Sequence, residues 1–299
     1  MSDQHLHAYA PHEHSGARRP GPRPVLVSGS VLPLAGMAAA AAAVSALQLH
    51  EARRRYGSQA SHPGTIDLTI APPDPTLADS KPLELLALGD SGMAGVGVTQ
   101  PAAALPAQIA QRVAARTGRP VHVVSHAQPG ARTYDVLAKQ LTPELGLPDV
   151  VVLLVGANDV THLTRTRQLA EDTANLLARL HRLGAPVVMS SLPEFEAMRS
   201  VPAVLRAVLR LRAGVVRRVH VRAVLDAGSG VDLVDVRGLV GHEFLTNSDL
   251  MSPDRFHPSE AGYSRIAEAL APAVLDAITR RTESPTISDM GLVSIGGVA

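Results

Sequence analysis

The sequence predicts an α/β domain, a three-layer α/β/α doubly wound sheet of about five parallel strands. Three observations predict this fold class. Short apolar runs recur along the chain, and the most continuous of them is typical of a parallel strand buried on both faces. Longer segments with helical periodicity separate these runs. Crossovers between parallel strands are right-handed, so the helices are expected to cover both faces of the sheet.

The predicted elements follow one another within residues 83–281, which we assign to one domain. The predicted strands are Leu85–Leu88, Val121–Ser125, Val150–Val155, Pro186–Ser190 and Val231–Val236. The predicted helical segments are Ala103–Thr117, Tyr134–Leu141, Gln168–Leu183, Glu196–Leu225 and Glu260–Thr279. Gly118 and Gly184 directly follow two of the helices, as expected of residues that end a helix.

Three polar segments flank this domain. Residues 1–24 are rich in histidine, arginine and proline, which predicts a disordered tail, with metal binding by the histidines as the alternative. Residues 51–82 are predicted to be a linker because proline, serine, threonine and aspartate are frequent towards the domain. Residues 282–299 are predicted to be a flexible tail.

A hydrophobic segment occupies residues 25–50. Residues 25–49 contain no charged side chain, and about 20 apolar residues suffice to span a bilayer. A membrane anchor, a cleaved signal peptide and an alanine-rich helix packed on the domain all fit this composition. The first two predict a protein that is membrane-associated or exported to the cell envelope, and the third leaves a cytoplasmic location.

The composition excludes several classes of function. The net charge of +1 provides no global field that would attract nucleic acid. Only three Phe and four Tyr occur and there is no Trp, so a surface that stacks bases is not expected. Without cysteine, the sequence has no disulfide, no cysteine-ligated zinc and no thiol catalysis.

A tight turn that displays a hydroxyl follows the first predicted strand. The apolar run ends at Gly89, and Asp90 and Ser91 come directly after it. Sites in doubly wound folds lie at the carboxyl ends of the strands, so we predict that Ser91 is a nucleophile. The turn is not the G-x-S-x-G elbow, because Met93 stands where the second glycine would be.

The next two strands end in residues that could donate hydrogen bonds into the same site. Gly130 follows the second strand, where a glycine lets a backbone N–H approach a ligand, although a simple type II turn also explains it. Asn158 and Asp159 follow the third strand. The Asn158 amide could point into the site, whereas helix capping is the alternative for Asp159.

The candidate general base lies near the carboxyl end of the domain. His257 precedes the last predicted helix, and Asp254 stands three residues earlier. A carboxylate at that spacing can accept a hydrogen bond from one ring nitrogen and thereby fix the tautomer of the imidazole. We therefore predict that Asp254 and His257 form a catalytic pair.

These four segments together resemble the SGNH (GDSL-type) hydrolase family over about residues 83–279. Gly89-Asp90-Ser91, Gly130, Gly156-x-Asn158-Asp159 and Asp254-x-x-His257 match its blocks in order, and the N-terminal hydrophobic segment resembles that of actinobacterial members. Family members often have leucine after the serine, where this sequence has Gly92. The departure removes a packing contact and no catalytic group.

The resemblance implies a serine esterase or lipase-like hydrolase that needs no metal or cofactor. Ser91 would attack a carboxylic ester, with His257 as base, Asp254 as its orienting partner, and Ser91, Gly130 and Asn158 as the oxyanion hole. Asp90 and Asp159 would make structural hydrogen bonds. The alternatives are an acyltransferase with the same site and a catalytically inactive envelope-binding protein. The expected partners are a small-molecule or lipid ester and, through residues 25–49, a membrane.

One predicted helix is unusually basic. Within Glu196–Leu225, arginines are interspersed with a predicted apolar face formed by Val201, Val204, Val208, Leu211, Val215 and Val219. We expect this helix to cross over the sheet with that apolar face inward and its arginines in solvent. The alternative is a basic lid that rests on anionic lipid.

Overall fold

The computed structural model describes residues 61–143 and 145–283. Its six strands are β1 (Asp67–Ile70), β2 (Leu83–Gly89), β3 (Val121–Ser125), β4 (Val150–Leu154), β5 (Val187–Ser190) and β6 (Val231–Val234). They form one sheet in the order β1-β3-β2-β4-β5-β6, in which β2 to β6 are parallel. The five predicted parallel strands are all present, in the flavodoxin-like order.

The sixth strand corrects the prediction of a linker over residues 51–82. Strand β1 pairs antiparallel with β3, with Asp67 opposite Val124 and Ile70 opposite Val121. Ile66, just before the strand, is only 2% exposed and packs into the core. A four-residue edge strand needs little apolar sequence because only part of it faces the core, so composition alone did not reveal it.

Seven α-helical segments accompany the strands within the described residues. They are α1 (Leu105–Thr117), α2 (Thr133–Asp135), α3 (Ala157–Thr161), α4 (Thr166–His181), α5 (Ala203–Ala227), α6 (Val236–Thr246) and α7 (Glu260–Glu283). Helix α2 continues into a π-helical turn at Val136–Gln140. The predicted segment Glu196–Leu225 is divided into a 3-10 turn, Phe195–Ala197, and α5. Helix α6 was not predicted from the sequence, and α7 extends past the predicted domain end at residue 281.

Alternate residues of the central strands supply two separate cores, one on each face of the sheet. Leu85 and Val152 pack with α1 and α7, whereas Leu86 and Val151 pack with α4. Burying a side chain of this size stabilises the fold by about 1.5–3 kcal/mol. The continuous apolar run of β4 is explained by this burial on both faces.

The side chains that α5 buries differ from those predicted to face the sheet. Leu205, Leu209, Val216 and His220 are its buried side chains. In contrast, Val204 is 72% exposed and Leu211 70%, although both were assigned to the inward face. The helix carries apolar residues on more than one side, so periodicity alone could not decide which stripe packs.

Several predicted features lie outside the described residues: the tail 1–24, the hydrophobic segment 25–50, the first part of the linker and residues 284–299. Within the part of the chain that is described, no helix combines the length and apolarity that crossing a membrane requires.

Candidate active site

Ser91 lies at the carboxyl edge of β2, where the chain turns sharply. Gly89 has φ 142°, and a Cβ there would lie 1.9 Å from the Leu154 carbonyl oxygen of β4, so only glycine fits. The Gln140 side chain bonds both the N–H and the carbonyl of Gly89, at 2.9 and 2.7 Å. On the other side of the turn, the backbone carbonyl of Ser91 accepts a hydrogen bond from the Val96 N–H at 2.9 Å. The turn that carries the hydroxyl is thus fixed at both ends.

Gly130 lies in the loop after β3, beside the end of β2. The Gln128 N–H donates to the Gly89 carbonyl at 3.1 Å, and this bond ties the loop to the Ser91 turn. Gly130 has φ 81°, a left-handed conformation that favours glycine, and no atom lies within 4 Å of the position of a Cβ. Its backbone is therefore accessible from the adjacent cavity.

Asn158 lies in the first turn of α3, immediately beyond β4. Its side-chain amide donates to the Ala131 carbonyl at 3.1 Å. The buried Asp159 accepts from both the N–H and the hydroxyl of Thr133, at 2.9 and 2.8 Å. These bonds fasten α3 to the Gly130 loop. An Asn amide carries two N–H donors, so one bond to Ala131 leaves the other for a ligand.

Asp254 and His257 interact directly. The His257 Nδ1 lies 2.7 Å from one Asp254 carboxylate oxygen. The other oxygen accepts from the Ser252 hydroxyl and from the N–H groups of Phe256 and His257, at 2.7, 2.8 and 2.9 Å. Burial alone would raise the pKa of Asp254, but these bonds, above all that from His257, hold it well below its usual range.

The loop that carries His257 packs against the turn that carries Ser91. A Cβ added to Gly97 would lie 2.3 Å from the Pro258 carbonyl oxygen and 3.2 Å from the His257 Cβ. The Tyr263 hydroxyl also donates to the Val96 carbonyl. The last loop and helix are therefore held against residues 91–97, although 160 positions separate them in sequence.

Four of the predicted site residues line one cavity of about 510 Å³: Ser91, Gly130, Asn158 and His257. Asp254 lies behind His257. Gly92 also lines this cavity, which is consistent with space beside the serine. The cavity wall, as we call its apolar side, consists of Phe195, Met198, Val201, Leu209, Val236, Val240 and Phe244. A wall of this kind suits an apolar group attached to the reacting carbonyl.

A charged pair that was not predicted from the sequence also lies at this cavity. The Arg237 Nε donates to a Glu194 carboxylate oxygen at 2.7 Å, and both residues line the cavity. Arg237 belongs to α6, the helix that was not predicted. Glu194 follows the end of β5 and Arg237 follows the end of β6, and these two strands are neighbours in the sheet. The placement of an acidic and a basic residue after neighbouring strands was the signal in the sequence that could have predicted the pair.

Two buried titratable groups lie beneath the site. Asp90 is 2% exposed; one carboxylate oxygen accepts from the Gly92 N–H at 3.1 Å, and the other has no hydrogen-bond partner among the described residues. Burial, and then the charge of Asp159, raise the pKa of Asp90 to about 7. Burial lowers the pKa of His220, on α5, to about 4. A Cβ on Gly156 would lie 2.6 Å from the His220 ring, which explains the glycine two residues before Asn158.

Comparisons with known proteins agree with this architecture. The family model of the GDSL-like lipase/acylhydrolase family matches residues 87–265, which is more than half of the chain and contains all five predicted site residues. The chain belongs to this family. The SGNH (GDSL-type) resemblance inferred from the four sequence blocks is thereby confirmed.

Individual relatives agree with this assignment. The chain is 31% identical over 209 residues to the GDSL-like esterase Rv1075c of Mycobacterium tuberculosis, a match that covers 68% of this chain and 65% of the esterase, somewhat less than two thirds of its length. The crystal structure of the lipase Lip_vut3 from a goat rumen metagenome superposes with a TM-score of 0.53 at 19% identity, over 64% of this chain and 97% of the lipase. The latter shows a shared fold.

Proposed function

We propose that the protein hydrolyses carboxylic esters through an acyl-enzyme formed on Ser91. The observation that carries the proposal is the 2.7 Å contact of Asp254 with His257 beside a cavity that Ser91, Gly130 and Asn158 also line. A serine, a histidine oriented by a carboxylate, and convergent N–H donors are the groups that acyl transfer requires. Membership of a lipase/acylhydrolase family supports the same chemistry.

The first half of the reaction forms the acyl-enzyme. The Ser91 oxygen attacks the ester carbonyl carbon while His257 takes the hydroxyl proton through Nε2. The negative charge that develops on the carbonyl oxygen is stabilised by the N–H groups of Ser91 and Gly130 and by the Asn158 amide. The bond to the alcohol oxygen then breaks, and His257 gives that oxygen the proton as the alcohol leaves.

The second half regenerates the serine. A water loses a proton to His257 and attacks the acyl carbonyl, after which the Ser91 oxygen leaves and takes the proton back. Asp254, whose pKa is held below its usual range, stays ionised and stabilises the imidazolium in both halves. The apolar cavity wall would accommodate the hydrocarbon part of the substrate.

Turnover of p-nitrophenyl esters by the wild type and by Ser91→Ala tests this proposal. We expect the substitution to lower kcat by several orders of magnitude. Ser80→Ala, in an exposed turn, is the matched control and should leave turnover unchanged. A fluorophosphonate should label the wild type and Ser80→Ala but not Ser91→Ala. Equal turnover or labelling of Ser91→Ala would refute the assignment of the nucleophile.

The proposal extends to location. We propose that residues 25–49 hold the protein at the membrane or direct it to the cell envelope, because this uncharged segment is long enough to span a bilayer. Fractionation of cells that produce the full chain, compared with a chain carrying Ala41→Arg and Ala42→Arg, tests this. Recovery of the full chain in the soluble cytoplasmic fraction would contradict it.

A further inference from the structure

We propose that the exposed side of α5 is a docking surface for an anionic lipid surface. The apolar stripe, as we name Val204, Val208 and Leu211, lies on one side of this helix at spacings of four and three residues. These side chains are 72%, 43% and 70% exposed. Three large apolar side chains that share a helix face and remain in solvent indicate a binding surface rather than a core.

The charge of α5 identifies the occupant. The helix contains six arginines and one aspartate, a formal charge of +5, in a chain whose net charge is +1. The exposed Arg218 and Arg222 continue the line of the apolar stripe. A helix that presents apolar side chains and an excess of arginine fits the interface of an anionic membrane. The apolar side chains enter the boundary between headgroups and acyl chains, and the arginines bind the lipid phosphates.

A second copy of the chain fits this surface less well. The line from Val204 through Leu211 to Arg218 and Arg222 has the spacing of a helix–helix seam. Pairing along it would remove the two arginines from water, and the same line offers a single carboxylate, that of Asp226, to receive them. Asp226, the helix's acidic residue, already accepts from the Arg222 Nε at 2.9 Å.

The position of the stripe relates the lipid surface to the site. Val201 and Leu209, on a neighbouring side of the same segment, belong to the cavity wall. A membrane docked on Val204 and Leu211 would therefore lie within one helix thickness of the apolar cavity. The docking itself does not depend on the ester chemistry, and binding measurements can test it without any substrate.

A single-tryptophan variant tests the proposal at the stripe itself. The sequence has no tryptophan, so Leu211→Trp creates a unique probe. With the full chain, we expect the emission of this probe to shift to the blue on phosphatidylglycerol vesicles and to remain unshifted on phosphatidylcholine vesicles. The matched control is Leu147→Trp, at a leucine that is 81% exposed in the loop before β4, and it should shift on neither.

Charge substitutions supply the second measurement. Replacing Arg218 and Arg222 by glutamine should weaken binding to phosphatidylglycerol vesicles by about fivefold for each arginine. Arg116→Gln, on α1 at the other face of the sheet, should have no effect.

Three results would overturn the proposal. Vesicle binding without a shift of the Leu211→Trp emission would assign attachment to another segment, such as residues 25–49. An equal shift on neutral vesicles would remove the role of charge. A shift without lipid that grows with protein concentration would identify a second copy of the chain as the occupant.

Discussion

The strand-end cluster and the cavity wall are held in place by different interactions. The strand-end cluster consists of Ser91, Gly130, Asn158, Asp254 and His257. Polar bonds of 2.7–3.1 Å position the cluster, among them those of Asp254, Asn158 and Asp159. The wall is held by apolar packing, and Val201 and Leu209 are nearly fully buried there. Directional bonds fix atoms to within fractions of an ångström, whereas apolar packing fixes volume. Substitutions in the cluster should therefore change rate, and substitutions in the wall should change substrate preference.

The largest expected effect concerns Asp254. Asp254→Asn keeps the shape of the side chain but removes the charge that favours the Nδ1-protonated imidazole, so kcat should fall by about 10⁴-fold. Asp249→Asn, at an exposed position in the same segment, is the control and should leave kcat within twofold. Steady-state kinetics on p-nitrophenyl acetate measures both. A loss below tenfold for Asp254→Asn would show that His257 is oriented by another group.

Asn158→Ala should have the next largest effect. Removal of one oxyanion donor costs about 3–4 kcal/mol of transition-state stabilisation, so kcat should fall by about 10²–10³ while KM changes little. The matched control is Asn247→Ala, which removes a capping bond to the Asp249 N–H at 3.0 Å, at a residue that does not line the cavity. That change should lower stability by about 1 kcal/mol and leave kcat unchanged. A purely structural Asn158 would instead raise KM and lower the melting temperature together.

The strand-end cluster was predictable from sequence because each member stands within six residues of the end of a strand or the start of a helix. Gly89, Gly156 and the Asp-x-x-His spacing are local signals, and the parallel topology then brings them to one edge of the sheet. The apolar stripe was not predictable in the same way. Val204 and Leu205 are equally apolar neighbours, and only tertiary packing against Phe195 and Met198 selects the latter. Strand β1 and helix α6 were missed because their sequences are short and weakly patterned.

The cavity wall should control chain length. Val201→Phe adds volume at a side chain that is 2% exposed and lines the cavity, so turnover of an octanoate ester should fall by roughly tenfold relative to the acetate ester. Val204→Phe makes the same change three residues away on the exposed side and should preserve the ratio. The measurement is kcat/KM for both esters. Equal ratios in the wild type and Val201→Phe would place the acyl chain elsewhere.

An effect on stability, and not on rate, separates the two buried groups beneath the cluster. The pKa of Asp90 is about 7 in the folded protein, above its ordinary value of 3.8, so the native state binds the extra proton between these values and stability falls as pH rises through them. The pKa of His220 is about 4, below its ordinary 6.5, so there the unfolded state binds the extra proton and stability rises with pH. The two slopes oppose each other between about pH 4 and 6.5.

Asp90→Asn should remove the fall of stability with pH that Asp90 causes and leave the rise that His220 causes. The stability of this variant relative to the wild type should increase by roughly 2–4 kcal/mol between about pH 4.5 and pH 8, because the wild type alone must ionise a buried carboxyl. Asp276→Asn, at an exposed position on α7, should track the wild type at every pH. Urea unfolding at several pH values measures the difference. A constant difference across this range would show that Asp90 gains a partner for its second oxygen and is ionised throughout, in which case the carboxylate beside Ser91 carries a full negative charge during catalysis.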